Sequence, residues 1–272
     1  MLANNNEAII NKLAKNSVKT NKKQYAILFF TIILSAFMLF CVFTIGMTYL
    51  DSSRLQNTRL NGAEYDILTM NGFTSEQLNT LQQNENIRSV GIESYAGFIQ
   101  STEYDKTVEI GLLWCDEVFW DNLMSPARTK LDGHYPQNKN ELMVTKDILK
   151  TCGNENLSVG DSLILTYENN TGVYTDEFVI SGIWDGYGDT SAGFVSKAFY
   201  DETGYDLKNN GILCIKLNCN YVFPTTIQSI EKSLDFSDRQ IFAPTGYIEN
   251  SFKLLLGICG LALVICLSAY LL

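Results

Sequence analysis

The chain of 272 residues contains one histidine, His134, and this limits the chemistry that its side chains can perform. A zinc site of the HExxH type needs two histidines, and a Ser-His-Asp triad would have to use His134, which stands in a Gly-His-Tyr-Pro turn. The sequence contains neither GxSxG, which presents a nucleophilic serine, nor GxxxxGK(S/T), which cradles phosphates. We therefore predict a non-enzymatic protein without catalytic residues, metal ligands or a bound cofactor.

Two carboxylates four residues apart, Asp185 and Asp189, come nearest to a cation site. They belong to the run WDGYGD, which lacks the spaced acidic ligands of a calcium-binding loop. A tight exposed turn is the structure expected here.

Seven cysteines are present, and three of them, Cys41, Cys259 and Cys266, lie in apolar segments where they act as small apolar fillers. The other four lie between those segments: Cys115, Cys152, Cys214 and Cys219. Four cysteines allow three disulfide pairings, and the sequence does not choose among them. Unpaired buried thiols fit the pattern equally well.

The charges divide the chain into four parts. Residues 1–23 carry five Lys and one Glu, a net charge of +4, and residues 51–253 carry 15 Lys or Arg against 29 Asp or Glu, a net charge of −14; together these give the −10 of the chain. Residues 24–50 and 254–272 carry no charge. The acidic part would repel phosphates, which excludes nucleic acid as a partner.

Both uncharged segments are long enough to cross a membrane, which takes about 20 apolar residues in a helix. We predict a first transmembrane helix at 25–50 and a second at 254–272. The first is too long for the apolar core of a cleaved signal peptide, which has about 7–15 residues, and a poor cleavage site follows it. The second lacks the polar face that a helix of a soluble domain would show.

Residues 1–24 predict an amphipathic helix that lies in the cytoplasmic membrane interface. Ile9, Ile10 and Leu13 fall on one face of this helix. Five lysines occupy the opposite face and the membrane boundary: Lys12, Lys15, Lys19, Lys22 and Lys23. Positive flanks remain in the cytoplasm, so the prediction places the N-terminus inside the cell membrane and residues 51–253 outside. A solvated juxtamembrane tail is the alternative.

Residues 51–253 read as a mixture of helices and strands. Thr74 and Gln77 form a capping box at the start of a helix, residues 169–172 read NNTG between two strands, and Pro224 starts a later helix. The order of elements predicts an α/β part at about 60–114 and 210–245, with a strand-rich insertion at about 115–209. The expected fold class is a membrane protein with transmembrane α-helices flanking an α+β extracytoplasmic domain of two subdomains.

Three strings in this domain resemble those of the FtsX-like, or MacB-like, ABC-transporter permeases. Residues 131–136 read LDGHYP and are followed by NELMV, residues 157–163 read LSVGDSL, and residues 178–183 read FVISGI. In this reading Gly133 and Pro136 make a turn, Glu141 starts a strand, and the Gly160-Asp161 pair turns into the next strand. The residues to which the resemblance gives a structural role are Gly133, Pro136, Glu141, Gly160, Asp161 and Gly182. His134 departs from the pattern, because the family often has Arg there.

The resemblance implies a permease subunit that couples ATP hydrolysis by a separate ATPase to work on the extracytoplasmic side. Members of the family export or remove antimicrobial peptides, antibiotics or lipoproteins, or control cell-wall hydrolases. The implied partners are an ABC ATPase subunit, membrane lipid, a second permease copy and a peptide or lipid-like substrate. The later spans of the family would lie beyond Leu272, so we expect a truncated piece of a permease or the product of a broken gene.

Sensor kinases and chemoreceptors have the same layout, with an extracytoplasmic ligand-binding domain between two spans. A signalling coiled coil after residue 272 would indicate such a receptor, and further spans would indicate a permease. The three strings and the amphipathic tip favour the permease. A membrane-anchored hydrolase is disfavoured by the single histidine and the missing nucleophile motifs.

Overall fold

The computed structural model describes residues 7–100, 110–188 and 192–271. They form two compact units, one made of the described residues of Met1–Asp51 and Lys253–Leu272, the other of those of Ser52–Phe252. Asp189, the second residue of the carboxylate pair, lies outside the described residues. So do residue 101 and residues 107–109, which belong to strands that the sequence predicts at 95–101 and 107–114.

Helices make up the first unit, and the second contains both helices and strands. The helices are α1 (Glu7–Thr20), α2 (Lys22–Asn61), α3 (Ser75–Gln82), α4 (Lys146–Thr151), α5 (Lys197–Tyr200), α6 (Leu207–Asn210), α7 (Pro224–Lys232) and α8 (Gly246–Leu271). The strands are β1 (Ile67–Met70), β2 (Ile87–Ile99), β3 (Ile110–Cys115), β4 (Arg128–Gly133), β5 (Glu141–Thr145), β6 (Ser162–Asn169), β7 (Gly172–Gly186), β8 (Ala192–Val195), β9 (Ile212–Leu217) and β10 (Ile241–Pro244). A π-helical turn, Val118–Leu123, and a 3₁₀ turn, Ser125–Ala127, precede β4.

Among the described residues, α2 and α8 are the two helices long and apolar enough to cross a membrane. Within the first unit they pack closely at Gly46, where an added Cβ would lie 2.6 Å from the side chain of Ile258. Small residues allow helix backbones to approach in this way. The α2 helix continues past the predicted span to Asn61 because no proline or glycine interrupts residues 51–61, and it ends before Gly62, whose φ of +71° is typical of a helix C-terminus.

The strands described in the second unit form one ten-stranded sheet in the order β10-β1-β9-β2-β3-β8-β5-β7-β4, with β6 paired to β2 and β7. The pairs β3–β8 and β5–β7 are parallel and the remaining pairs are antiparallel. At the β10 edge of the sheet, Ile67 of β1 lies opposite Pro244 of β10. The chain therefore enters the sheet from α2 and leaves it into α8 through neighbouring strands.

Local signals predicted several of these elements correctly. Both hydrogen bonds of the capping box form at the start of α3, from the Gln77 amide to Thr74 Oγ1 (3.2 Å) and from the Thr74 amide to Gln77 Oε1 (2.9 Å). The NNTG turn joins β6 to β7, where the Asn169 side chain accepts the amide hydrogen of Thr171 at 2.8 Å. These contacts are local, so a short stretch of sequence is enough to specify them.

Other elements differ from the sequence prediction. From their apolar residues, 87–92 and 95–101 are predicted to form two separate strands, but the structure has one strand there, β2, with a register shift between Tyr95 and Gly97. The strand β4 was not predicted, because its charged sequence RTKLDG shows no alternation of apolar and polar residues. The α8 helix begins at Gly246, eight residues before the predicted span at 254–272, and the bounds of the span stay a prediction.

Apolar side chains of the second unit form three clusters. One lies under α3 and α7 and includes residues of β1 and β9, and another is built by β3, β5, β6 and β7. A third, rich in aromatic rings, includes Trp120, Trp184 and Phe194. The first two clusters belong mainly to the predicted α/β part and the predicted insertion, whose boundaries stay a prediction.

Candidate functional site

The residues of the three strings come together around residues 178–183 of β7. Gly133, at the end of β4, is the cross-strand partner of Gly182. An added Cβ at Gly133 would lie 2.2 Å from the Ser181 carbonyl oxygen, and one at Gly182 would lie 2.9 Å from the His134 carbonyl oxygen. The φ of Gly133 is also positive, +88°, which few other residues adopt. Both positions therefore require glycine for steric reasons.

The Gly160-Asp161 turn is bound to the same stretch of β7. The Gly160 amide donates to the carbonyl of Ile180 (2.8 Å), and the Ile180 amide donates to the carbonyl of Asp161 (2.9 Å). The Asp161 carboxylate accepts the amide hydrogen of Ser158 at 2.8 Å and so closes the turn. The φ of Gly160, +95°, suits the third position of a tight turn.

Glu141, the first residue of β5, orders the loop that precedes this strand. Its carboxylate accepts hydrogen bonds from the amides of Gln137 (2.7 Å) and Asn138 (3.1 Å) and from the side chain of Asn138 (2.8 Å). Burial opposes ionisation of Glu141, but these hydrogen bonds outweigh it and lower the pKa of the carboxyl below its ordinary value. Pro136 is buried at the start of this loop.

The string residues thus share a framework of turns and strand pairs around β7. His134 is exposed, and its Nδ1 lies 3.0 Å from the carbonyl oxygen of Tyr135. Within the described ranges, no group of three or more His, Cys, Asp or Glu side chains is placed to hold a metal ion. The cysteines of this unit are free thiols, buried at Cys115, Cys152 and Cys214 and exposed at Cys219.

A second constellation, which the sequence patterns did not indicate, lies near the end of α2. Lys216 of β9 is buried, and its Nζ lies 3.2 Å from Asp66 Oδ2 and 3.3 Å from Glu64 Oε1. Arg54 of α2 places Nη1 3.1 Å from the same Glu64 oxygen. We call these four residues the ion-pair network. Buried charges of this kind are retained only when they are paired and hydrogen-bonded.

Asp66 connects the network to the backbone of two segments, β9 and the residue before α8. Its Oδ2 accepts the amide hydrogen of Leu217 (2.9 Å), and its own amide donates to the carbonyl of Ile215 (2.8 Å). Its carbonyl accepts the amide hydrogen of Thr245 (2.8 Å), the residue directly before α8. Burial raises the pKa of Asp66 above its ordinary value, although the Lys216 ammonium and the Leu217 amide counter part of this effect.

The charged end of α2, residues 52–61, is here called the stalk. Besides Arg54 in the ion-pair network, the stalk contributes Arg59, whose guanidinium carbon lies 4.2 Å from the ring centre of Tyr187 just after β7. A guanidinium over an aromatic face is an attractive contact. Two arginines therefore attach the stalk to separate parts of the second unit.

A third group of ionisable side chains lies in the aromatic cluster. Glu93 of β2 is paired in the sheet with Cys115 of β3, and burial raises the pKa of its carboxyl to about 7. Burial also raises the pKa of the Cys115 and Cys214 thiols well above the ordinary value. The thiols are therefore protonated and poor nucleophiles.

A cleft of about 350 Å³ opens beside the ion-pair network and is lined by Glu64, Lys216, Arg88, Asp121 and Ser125, among others. This volume is near the lower end of ligand pockets, which span about 300–1,000 Å³ and are mostly apolar. The mixed charges around the cleft do not select one class of ligand.

The basic tip forms two helical segments separated at Asn21. Its five lysines are all exposed: Lys12, Lys15, Lys19, Lys22 and Lys23. The apolar residues Ile9, Ile10 and Leu13 of α1 are also exposed. An amphipathic helix is therefore present, and its position in the membrane interface stays a prediction.

Two apolar helices and the mixed α/β unit between them in the chain define a membrane protein with a folded domain joined to two spans. No family model and no curated protein sequence matches the chain. Some solved structures are similar to parts of the chain. The chain is similar to the periplasmic region of MacB from Actinobacillus actinomycetemcomitans, with 12% identity and a TM-score of 0.45 over 71% of this chain and 95% of that one.

Two further solved structures are similar to the chain at comparably low identity. A domain of a putative permease protein from Porphyromonas gingivalis matches with 9% identity and a TM-score of 0.40 over 67% of this chain and 89% of that one. The extracellular domain of the noncanonic ABC-type transporter YknZ from Gram-positive bacteria matches with 12% identity and a TM-score of 0.42 over 66% and 98%. At these identities and TM-scores the three similarities assign neither a family nor a function to the chain.

Proposed function

We propose that the chain is part of the permease subunit of an ABC transporter, which couples ATP hydrolysis by a separate ATPase to work on the extracytoplasmic side of the cell membrane. In this proposal the N-terminus is cytoplasmic and residues 51–253 are outside. The substrate is a peptide, an antibiotic or a lipoprotein, and a second permease copy serves the second ATPase. The resemblance of the three sequence strings supports the permease over a receptor.

The observation that carries the proposal is the continuity between the apolar helices and the domain. The α2 helix runs from Lys22 through its uncharged segment to Asn61 without interruption, and α8 starts at Gly246, two residues after β10. At about 1.5 Å per residue, the ten residues of the stalk alone extend α2 by roughly 15 Å. A displacement of either helix therefore acts directly on the folded domain.

The ion-pair network gives this displacement a route into the sheet. Arg54 moves with α2, Glu64 and Asp66 lie in the segment before β1, and Lys216 lies on β9. Asp66 also binds the amide of Thr245 at the start of α8. Because these contacts are short, and those of Lys216 with Asp66 are buried, we expect the ends of both helices and two strands to move as one group.

The exposed lysines of the tip support the proposed orientation, because ammonium groups are attracted to anionic lipids of the cytoplasmic leaflet. Two matched variants test it in intact cells that express the full-length protein in a Cys219→Ser background. Asn170→Cys lies in the exposed β6–β7 turn, and Asn16→Cys lies on α1. A membrane-impermeant maleimide should label the first and not the second, and the reverse pattern would refute the orientation.

The transporter assignment is tested by purifying the full-length protein with the ATPase encoded beside its gene. Stable co-purification and ATP hydrolysis that requires both subunits are expected. A signalling coiled coil or kinase region after residue 272, with no ATPase partner, would make the same chain a two-span receptor with an extracytoplasmic sensor domain.

A further inference from the structure

Phe223, the residue before α7, presents an exposed aromatic ring. Its relative exposure is 60%, and its ring packs against Phe252 of α8 with the ring centres 4.6 Å apart. Residues 218–223, the loop that carries it between β9 and α7, include no charged side chain. A large apolar side chain exposed in a short loop costs solubility and adds little to the core of the second unit.

The surrounding backbone holds Phe223 in this exposed position. Its neighbour Val222 is buried in the cluster under α3 and α7, and Pro224 restricts Phe223 to an extended conformation with φ −65° and ψ 139°. The Phe223 carbonyl also accepts the amide hydrogen of Thr226 at 2.9 Å. The exposure is therefore built into the fold of the loop.

Phe252 relates this ring pair to the membrane. It lies on α8 two residues before the uncharged segment 254–272, a distance of about 3 Å along a helix axis. Phe252 and Leu256 lie one helical turn apart on α8 and share a face, on which Leu256 is 56% exposed. The ring pair thus stands at the boundary between the charged and the membrane-spanning parts of α8, where aromatic residues are enriched in membrane proteins.

We propose that Phe223, supported by Phe252, is a membrane anchor whose ring inserts into the boundary between lipid headgroups and acyl chains. Its ligand is a phospholipid bilayer, recognised through apolar contact because the loop carries no charge for headgroup binding. The anchor fixes residues 218–223, and with them the end of β9 that follows Lys216, at the membrane surface. It depends only on α8 spanning the membrane, so it holds for a permease and for a receptor alike.

Tryptophan fluorescence in lipid nanodiscs tests the anchor. The full chain with Phe223→Trp is compared with Ile164→Trp, a control at a 68% exposed apolar residue of β6. The native Trp114, Trp120 and Trp184 are buried, so the wild-type spectrum can be subtracted. Lipids brominated near the carbonyl end of the chain should quench the emission at position 223 about two-fold, as expected for a side chain at the acyl boundary, and leave position 164 unquenched.

Two results would overturn the proposal. Quenching at position 223 by aqueous acrylamide, equal to the control and without quenching by brominated lipid, would place the ring in water. Protection from both quenchers would mean that protein, such as another span or a second copy, covers the ring. If Phe223→Trp does not fold, benzoylphenylalanine at position 223 replaces it, and ultraviolet light should yield phospholipid adducts by mass spectrometry; adducts to protein alone would refute the anchor.

Discussion

Lys216→Met should strongly destabilise the second unit, because it removes the cation from two carboxylates. Asp66 is 2% exposed and loses its contact of 3.2 Å, while Glu64 is partly exposed and keeps Arg54 at 3.1 Å. The uncompensated charge is therefore mainly that of Asp66. Breaking one partner of a buried ion pair costs about 3–5 kcal/mol.

The loss can be measured as a shift in the unfolding midpoint of the full chain in detergent. For a domain of this size, 1 kcal/mol corresponds to about 2–4 °C, so Lys216→Met should lower the midpoint by about 6–20 °C. Trp114, Trp120 and Trp184 all lie buried in the second unit, so tryptophan emission reports its unfolding.

The double variant Lys216→Met/Asp66→Asn distinguishes charge from packing. The amide side chain introduced by Asp66→Asn still offers an oxygen to the Leu217 amide, which binds Asp66 Oδ2 at 2.9 Å in the native chain, but it carries no charge. We expect the double variant to recover most of the lost stability, because neutral replacements of buried ion pairs are often tolerated. Equal losses in the single and double variants, or a single-variant loss below about 1 kcal/mol, would contradict the electrostatic reasoning.

Three further predictions concern the framework and the aromatic cluster. Burial raises the pKa of Glu93 to about 7. The free energy of unfolding should therefore be highest below about pH 4.5 and fall as pH rises through 7, because the buried carboxyl then ionises. Denaturant titrations of Glu93→Gln at several pH values should lack this fall in the free energy of unfolding. Gly160→Ala should lower the free energy of unfolding by about 1–2 kcal/mol from backbone strain alone. Gly133→Ala should lower it clearly more, because its Cβ would also lie 2.2 Å from a carbonyl oxygen. Equal unfolding midpoints of the two variants would refute this reasoning. Glu141→Ala should speed hydrogen exchange of the two loop amides that it binds by about ten-fold or more, since hydrogen bonds to charged groups contribute about 1.5–3 kcal/mol.

Sequence patterns predicted the features that local interactions determine. The capping box of α3, the NNTG turn and the strand starting at Glu141 all depend on contacts within a few residues. The strings around Gly133, Gly160 and Gly182 were found as motifs, but their meeting on β7 could not be predicted, because it depends on strand pairing between distant segments.

The ion-pair network was missed for a related reason. The run GILCIKL at 211–217 predicts a buried strand, and nothing near Lys216 in the sequence indicates which residue would pair with this lysine. A lysine inside an apolar run needs a carboxylate partner, and the EYD run at 64–66 offered two. The pairing of β1 with β9 brings them together, and this pairing has no local signal.

The stalk makes α2 longer than the sequence suggests. The first charged residue after the span, Asp51, suggested the end of a helix, but residues 51–61 contain no residue that breaks one. A change in polarity marks where a helix leaves lipid, and only Gly62 marks where it ends.

The pairing of β1 with β10 determines how the second unit would resist a pull that separates α2 from α8. Both helices connect to the same end of this strand pair, where Ile67 lies opposite Pro244. Such a load opens an antiparallel pair like a zipper, one hydrogen bond at a time, whereas attachment at opposite ends would load all of its bonds in shear. The first rung to bear the tension is the hydrogen bond from Thr245 to Asp66. The buried contact between Asp66 and Lys216 reinforces that rung, and so sets the force at which the two strands begin to part.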